Sequence, residues 1–96
     1  MERTTSIQIG QVVRSKAGRD KDRVFLVLEV LDQHYVLLVD GDLRRLANPK
    51  KKKIKHLAVS HTVLNEFQER MDSKIKMNNA YVRKLLAPYG QHEEIR

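Results

Sequence analysis

The chain has 96 residues, 41% hydrophobic and 32% charged, with a formal net charge of +7 and a sequence pI of about 9.9. That length suits one small domain, one that buries roughly two-thirds of the surface its unfolded chain exposes. Cysteine is absent, which excludes a disulfide framework, a thiolate nucleophile and a thiolate zinc site. The first residues, Met-Glu-Arg-Thr-Thr-Ser, lead into no apolar stretch of the kind a signal peptide needs. No window approaches the roughly 20 apolar residues that span a bilayer. The expectation is a soluble cytoplasmic protein with no membrane partner.

In chain order, the front of the sequence has a β pattern. Ile7 to Ser15 supplies an opening strand. Val24 to Leu31 is apolar on both faces apart from Glu29, which fits a strand in the middle of a small barrel. Tyr35 to Val39 is a second run of that kind. Asp40-Gly41 follows it directly and signals a tight hairpin, since both residues tolerate positive φ. Leu43 to Leu46 is predicted as the return strand, ended by Asn48-Pro49, and Ile54 to Val59 as a short closing strand. Five short strands with tight turns in about fifty residues suggest a small barrel rather than an open sheet.

After Ser60 the period lengthens. Leu64, Phe67, Met71 and Ile75 form one helical stripe, with Thr62 as a plausible N-cap. Asn78 or Asn79 can cap a second helix carrying Val82, Leu85 and Leu86, stopped by Pro88 and Gly90. Two helices this short are unstable alone, so they are expected to pack on each other and on the barrel. The predicted class is therefore mostly β with an α extension. A five-stranded barrel occupies residues 1–59, a helical extension residues 60–96, and the tail Gln91–Arg96 is expected to fray.

Charge follows the same division. Residues 1–59 hold thirteen Lys and Arg against seven Asp and Glu, and residues 60–96 hold six against five. Leu43 to Leu57 alone contains Arg44, Arg45, Lys50, Lys51, Lys52, Lys53 and Lys55, and no acid. Adjacent ammonium groups repel, and a polyanion such as nucleic acid compensates them best; the plainer alternative is a solvated loop that aids solubility. A second basic group, Arg14, Lys16, Arg19, Lys21 and Arg23, surrounds Gly18 and is partly offset by Asp20 and Asp22. Gly10, Gly18 and Gly41 are expected to shape the turns. The cations are expected to hold phosphates or, for arginine, to stack on an unpaired base.

Several motifs carry a resemblance. Ile9-Gly10-Gln11-Val12-Val13, then Ser15-Lys16-Ala17-Gly18-Arg19-Asp20-Lys21, then Val24 to Val30 resembles the KOW motif of strand, glycine-bearing loop and strand. Asp40-Gly41, Leu43-Arg44, Pro49-Lys50-Lys51-Lys52, Ile54-Lys55-His56-Leu57 and Asn79-Ala80, with Val82 to Leu86, follow in the order seen in small bacterial KOW-domain RNA-binding proteins. Those are similar to the archaeal and eukaryotic large-subunit ribosomal protein family fourteen-e. The resemblance implies an SH3-like barrel and a ribosome-associated or translation-related role, with structured RNA, above all ribosomal RNA, as partner. The family usually has glycine where this chain has Asp22, and aspartate also tolerates left-handed turns.

Other chemistry is weakly represented. Phe25, Tyr35 and Phe67 fall on core positions, so no outward aromatic pair is expected, and recognition should depend on RNA shape and backbone. Tyr81 and Tyr89 fit either side. His34, His56, His61 and His92 have no cysteine partners, and Asp40 with Asp42 reads as turn chemistry. With no phosphate-binding P-loop or serine elbow, we expect a non-enzyme with no cofactor, no metal and no small-molecule substrate, and a monomer. Three rival readings are a transcription-elongation accessory that binds RNA polymerase, an SH3-style adaptor for proline-rich ligands and, in a eukaryotic setting, nuclear import through Pro49 to Lys53.

Overall fold

A computed structural model of the chain describes residues 7–90; the expectation for Gln91–Arg96 lies outside the described residues. Five strands build one antiparallel sheet: β1 (Gln11–Ser15), β2 (Val24–Val30), β3 (Tyr35–Val39), β4 (Lys50–Lys53) and β5 (Leu57–Val63). Their order across the sheet is β4-β3-β2-β1-β5, so β4 and β5 are the two edges. Two helices follow, α1 (Asn65–Asp72) and α2 (Asn79–Leu86), with single 3-10 turns at Ile54–His56 and Ala87–Tyr89.

Val24 to Val27 are all buried because β2 is central and both of its faces are covered. On one face Val13, Phe25, Val27, Val36, Leu38 and Leu57 form a cluster that draws no residue from either helix. On the other face Val12, Val24, Leu26 and Val39 pack against Phe67 of α1 and Val82 and Leu86 of α2. The helices thus cover that face of the sheet, as amphipathic helices too short to stand alone must. Register shifts interrupt the β1–β5 ladder between Gln11 and Val13 and the β2–β3 ladder between Val27 and Glu29. Such bulges bend a strand and increase its twist.

Four elements differ from expectation. The predicted return strand Leu43–Leu46 is a loop. The buried Asp40 Oδ1 accepts the N–H groups of Asp42 (2.9 Å) and Arg44 (2.8 Å), and the Arg44 carbonyl accepts those of Asp40 and Gly41. These bonds close a wider loop than a two-residue hairpin, so the partner of β3 is the lysine run instead, with Tyr35 opposite Lys53 and Leu38 opposite Lys50. Pro49, which has no N–H to donate, sits just before that strand. The closing strand starts later than Ile54 and runs on to Val63, because Ile54–His56 coils into a 3-10 turn. Thr62 is therefore inside β5, and α1 begins after Leu64 without a side-chain cap; it ends at Asp72, leaving Ile75 50% exposed. The opening strand starts only at Gln11, after a turn at Gly10.

Both asparagines before α2 are used. Asn78 caps the helix by accepting the Tyr81 N–H at 2.8 Å, and Asn79 Oδ1 accepts the Leu46 N–H at 2.8 Å, tying the 40–48 loop to the helix. Gly10 and Gly41 are points of close approach to the helical segments, Gly10 beside Leu64 and Gln68 and Gly41 beside Asn79 and Arg83. A Cβ at Gly41 would collide with the Asn79 carbonyl, and one at Gly10 would lie 3.0 Å from the Leu64 carbonyl. Each also has positive φ, so both glycines are required twice over.

Candidate nucleic-acid interface

A strand made of four lysines divides its charges by alternation, since successive side chains leave opposite faces. Lys50 and Lys52 share the face of Val36 and Leu38, and Lys51 and Lys53 share the face of Tyr35 and Leu37. Lys52 is 8% exposed, and its ammonium donates to the Ala17 carbonyl at 2.8 Å and to Asp20 Oδ1 at 2.9 Å. Lys50 Nζ pairs with Asp20 Oδ2 at 3.2 Å, although that oxygen has no hydrogen bond of good angle. Ser15 Oγ lies 2.7 Å from Asp20 Oδ1 and 2.9 Å from the Ala17 carbonyl, with one proton to share between them. Burial opposes ionisation of Asp20, but the Lys52 and Ser15 hydrogen bonds and the Lys50 charge outweigh it, holding the pKa at about 2. Lys52, expected from the sequence to meet phosphate, has its ammonium engaged in fastening β4 to the β1–β2 loop.

Further bonds hold the β1–β2 loop to the sheet. Gly18 and Asp22 both take positive φ, +88° and +73°, and aspartate is one of the few residues besides glycine that tolerate this left-handed conformation. Arg14 Nη1 donates to the Asp22 carbonyl at 2.9 Å, joining strand to loop tip. Arg23 at the loop's end pairs through Nε with Asp40 Oδ2 at 2.8 Å and more weakly through Nη2 with Asp42 at 3.4 Å. Arg83 of α2 completes the join by donating to the Gly41 carbonyl at 2.6 Å.

Between the β1–β2 loop and the 40–48 loop lies a cleft of about 550 Å³. Arg14, Arg19, Lys21, Arg23, Arg44 and Lys50 line it, against only two carboxylates, Asp20 and Asp22. Asp20 is engaged by Lys50 and Lys52, which leaves an excess of positive charge in the cleft. Phe25 forms part of the wall, and Leu43, 67% exposed, stands at its side. Four of the five predicted basic residues around Gly18, all but Lys16, thus converge with Arg44, some twenty residues on in sequence, on one concavity.

A second cleft, of about 490 Å³, opens at the opposite end of β2 and β3 and is lined by Gln33, His34, Tyr35, Lys53, Ile54 and Lys55. Tyr35 departs from expectation: it is half-buried rather than core, and the Lys51 ammonium stands 4.6 Å from its ring centroid. Lys16 and Arg45 are exposed and line neither cleft; Arg45 Nε donates to the Asp42 carbonyl at 3.2 Å.

No protein-family model and no curated protein matches this chain.

The aromatic residues left open by the sequence belong to the helical side. Tyr81 donates its hydroxyl to Glu66 Oε2 at 2.8 Å with the Arg70 guanidinium 4.5 Å from its ring, and Tyr89 packs on the outer cluster. Burial and the Glu66 hydrogen bond push the Tyr81 phenol up from its ordinary value. Among the described residues, no three His, Asp or Glu side chains gather where they could hold a metal ion. Nor is any described helix long and apolar enough to cross a membrane.

Two contributors escaped sequence reading. Asp20 looked like a partial offset to the loop cations, and nothing local indicated that it would reach Lys52, 32 residues away. Tyr35 was hidden because its strand is apolar at every position, so alternation left no mark.

Proposed function

We propose that this chain is an RNA-binding module, ribosome-associated or translation-related, that takes structured RNA such as ribosomal RNA into the first cleft. The sheet that carries it is read as an SH3-like barrel: its inner cluster is buried without help from either helix, and bulges bend the strands. The observation that carries the functional reading is the convergence of Arg14, Arg19, Lys21, Arg23, Arg44 and Lys50 on one concave surface. The forks of Arg19 and Arg44 suit phosphate oxygens, and a groove with an excess of positive charge concentrates the field of the basic face. Phosphate contacts of this kind position the protein and carry little sequence preference, so specificity would come from RNA shape.

Fluorescence anisotropy with labelled ribosomal RNA fragments across a salt series tests this. The expected slope of log K against log salt is about −3 to −5, for roughly four to six phosphates neutralised. Replacing Arg19, Lys21 and Arg44 together by Glu should abolish binding while leaving the fold intact, because none of these side chains supports the core. Unchanged RNA affinity in that variant would overturn the assignment. A polymerase pull-down surviving the same triple replacement would favour the transcription-accessory reading instead.

A further inference from the structure

We propose that the second cleft seats one unpaired nucleotide of the bound RNA, its base stacked on Tyr35 and its flanking phosphates held by Lys53 and Lys55. The inference rests on the RNA-binding reading and says what the far end of that surface takes.

The cleft is built for a flat group with negative charge on either side. Tyr35 and Ile54 supply apolar wall, and Gln33 and His34 supply donors and acceptors suited to a base edge. Lys53 and Lys55 supply the only charges of the lining. The ring is held in place: Asp32 Oδ1 accepts the backbone N–H groups of His34 at 2.7 Å and Tyr35 at 2.8 Å, which fixes the turn before β3. These two bonds keep the Asp32 carboxyl below its usual range. The Lys51 ammonium, 4.6 Å from the ring centroid, adds a cation beside the ring. A volume of about 490 Å³ lies within the roughly 300–1,000 Å³ of small-ligand sites.

The two clefts are linked by β4. Lys50 lines the first and Lys53 the second, three residues apart on one strand or about 10 Å, with Lys51 between them on the exposed face. Because Lys50 and Lys53 leave opposite faces of this edge strand, an RNA chain leaving the first cleft rounds the strand past Lys51 to reach Tyr35. Only an unstacked base can lie on that ring, so a structured RNA would have to present a bulge, loop or end there.

The test compares an RNA hairpin carrying a short uridine overhang with its blunt-ended counterpart, using the full chain and fluorescence anisotropy. The overhang should bind about 5- to 100-fold more tightly, the range expected for one base stacked on an aromatic side chain. Tyr35→Ala should erase that advantage and leave the blunt hairpin's affinity unchanged, and Tyr35→Phe should keep it. In the unmodified protein, a 4-thiouridine placed in the overhang should crosslink to the Gln33–Tyr35 segment, a readout that needs no variant. Equal affinity for the two hairpins, or crosslinks only elsewhere, would overturn the nucleotide seat while leaving the first cleft's role standing. If neither hairpin binds, both readings fall. Displacement of the overhang by a proline-rich peptide would assign the cleft to a protein ligand and overturn the proposal too.

Discussion

Lys52 and Lys53 are neighbours on β4 with the same side chain. Lys52 is nearly covered, its ammonium held between the Ala17 carbonyl and Asp20, whereas Lys53 is exposed on the wall of the second cleft. The strand's two-residue period is the whole cause of the difference. A run of like charges is therefore not one binding element. Half of it fastens an edge strand to a loop, and half of it faces outward. In the proposed RNA-binding surface Lys52 would act only by fastening the β1–β2 loop that carries Arg19 and Lys21, whereas Lys50 both pairs with Asp20 and lines the first cleft.

Removing the shared carboxylate should have the largest effect. Asp20→Asn leaves Lys50 and Lys52 without their counter-ion, Lys52 almost out of water, and is expected to cost about 3 kcal/mol in chemical denaturation. A loss below about 0.5 kcal/mol would mean the inward lysines are as solvated as the outward ones. Next comes acid. Asp20 titrates near 2 in the folded protein against an ordinary value of 3.8, so the unfolded chain binds more protons between those values. Its contribution, on the order of 2 kcal/mol, is present above 3.8 and is lost as pH falls through about 2. In Lys52→Met the folded pKa should rise, so the acid limb of a stability–pH curve should move to higher pH, with about 1–3 kcal/mol lost at neutral pH. The smallest stability effect belongs to the outward pair. Lys51→Ala with Lys53→Ala should leave stability within about 0.5 kcal/mol of the parent and make the salt slope of RNA binding shallower by about one for each lysine lost. If the outward pair changed stability and the inward pair changed only the salt slope, the division would be reversed.

The strands β2 and β3 and the second helix were legible because their signals are local. Val24 to Val30 is continuously apolar, and Asn78 stands one residue before a helical stripe that ends near Pro88. The loop in place of a return strand was not legible. Asp40-Gly41 looks the same whether its aspartate merely accepts positive φ or, as here, turns inward to gather two N–H groups and the Arg23 guanidinium. The cations of the first cleft were nameable from the chain, but their convergence was not. It depends on Arg23 bonding to Asp40 and on α2 fitting against Gly41.

Charge sign, apolar periodicity and turn chemistry are properties of neighbouring residues, and they were enough to state a basic, mostly β domain with two terminal helices. Which lysine faces inward, which carboxylate neutralises it and which aromatic ring stays open depend on contacts between residues tens of positions apart, such as Asp20 with Lys52 and Tyr35 with Lys51. Strand pairing creates those contacts, because register alone sets which face each side chain leaves, and four identical lysines carry no register of their own.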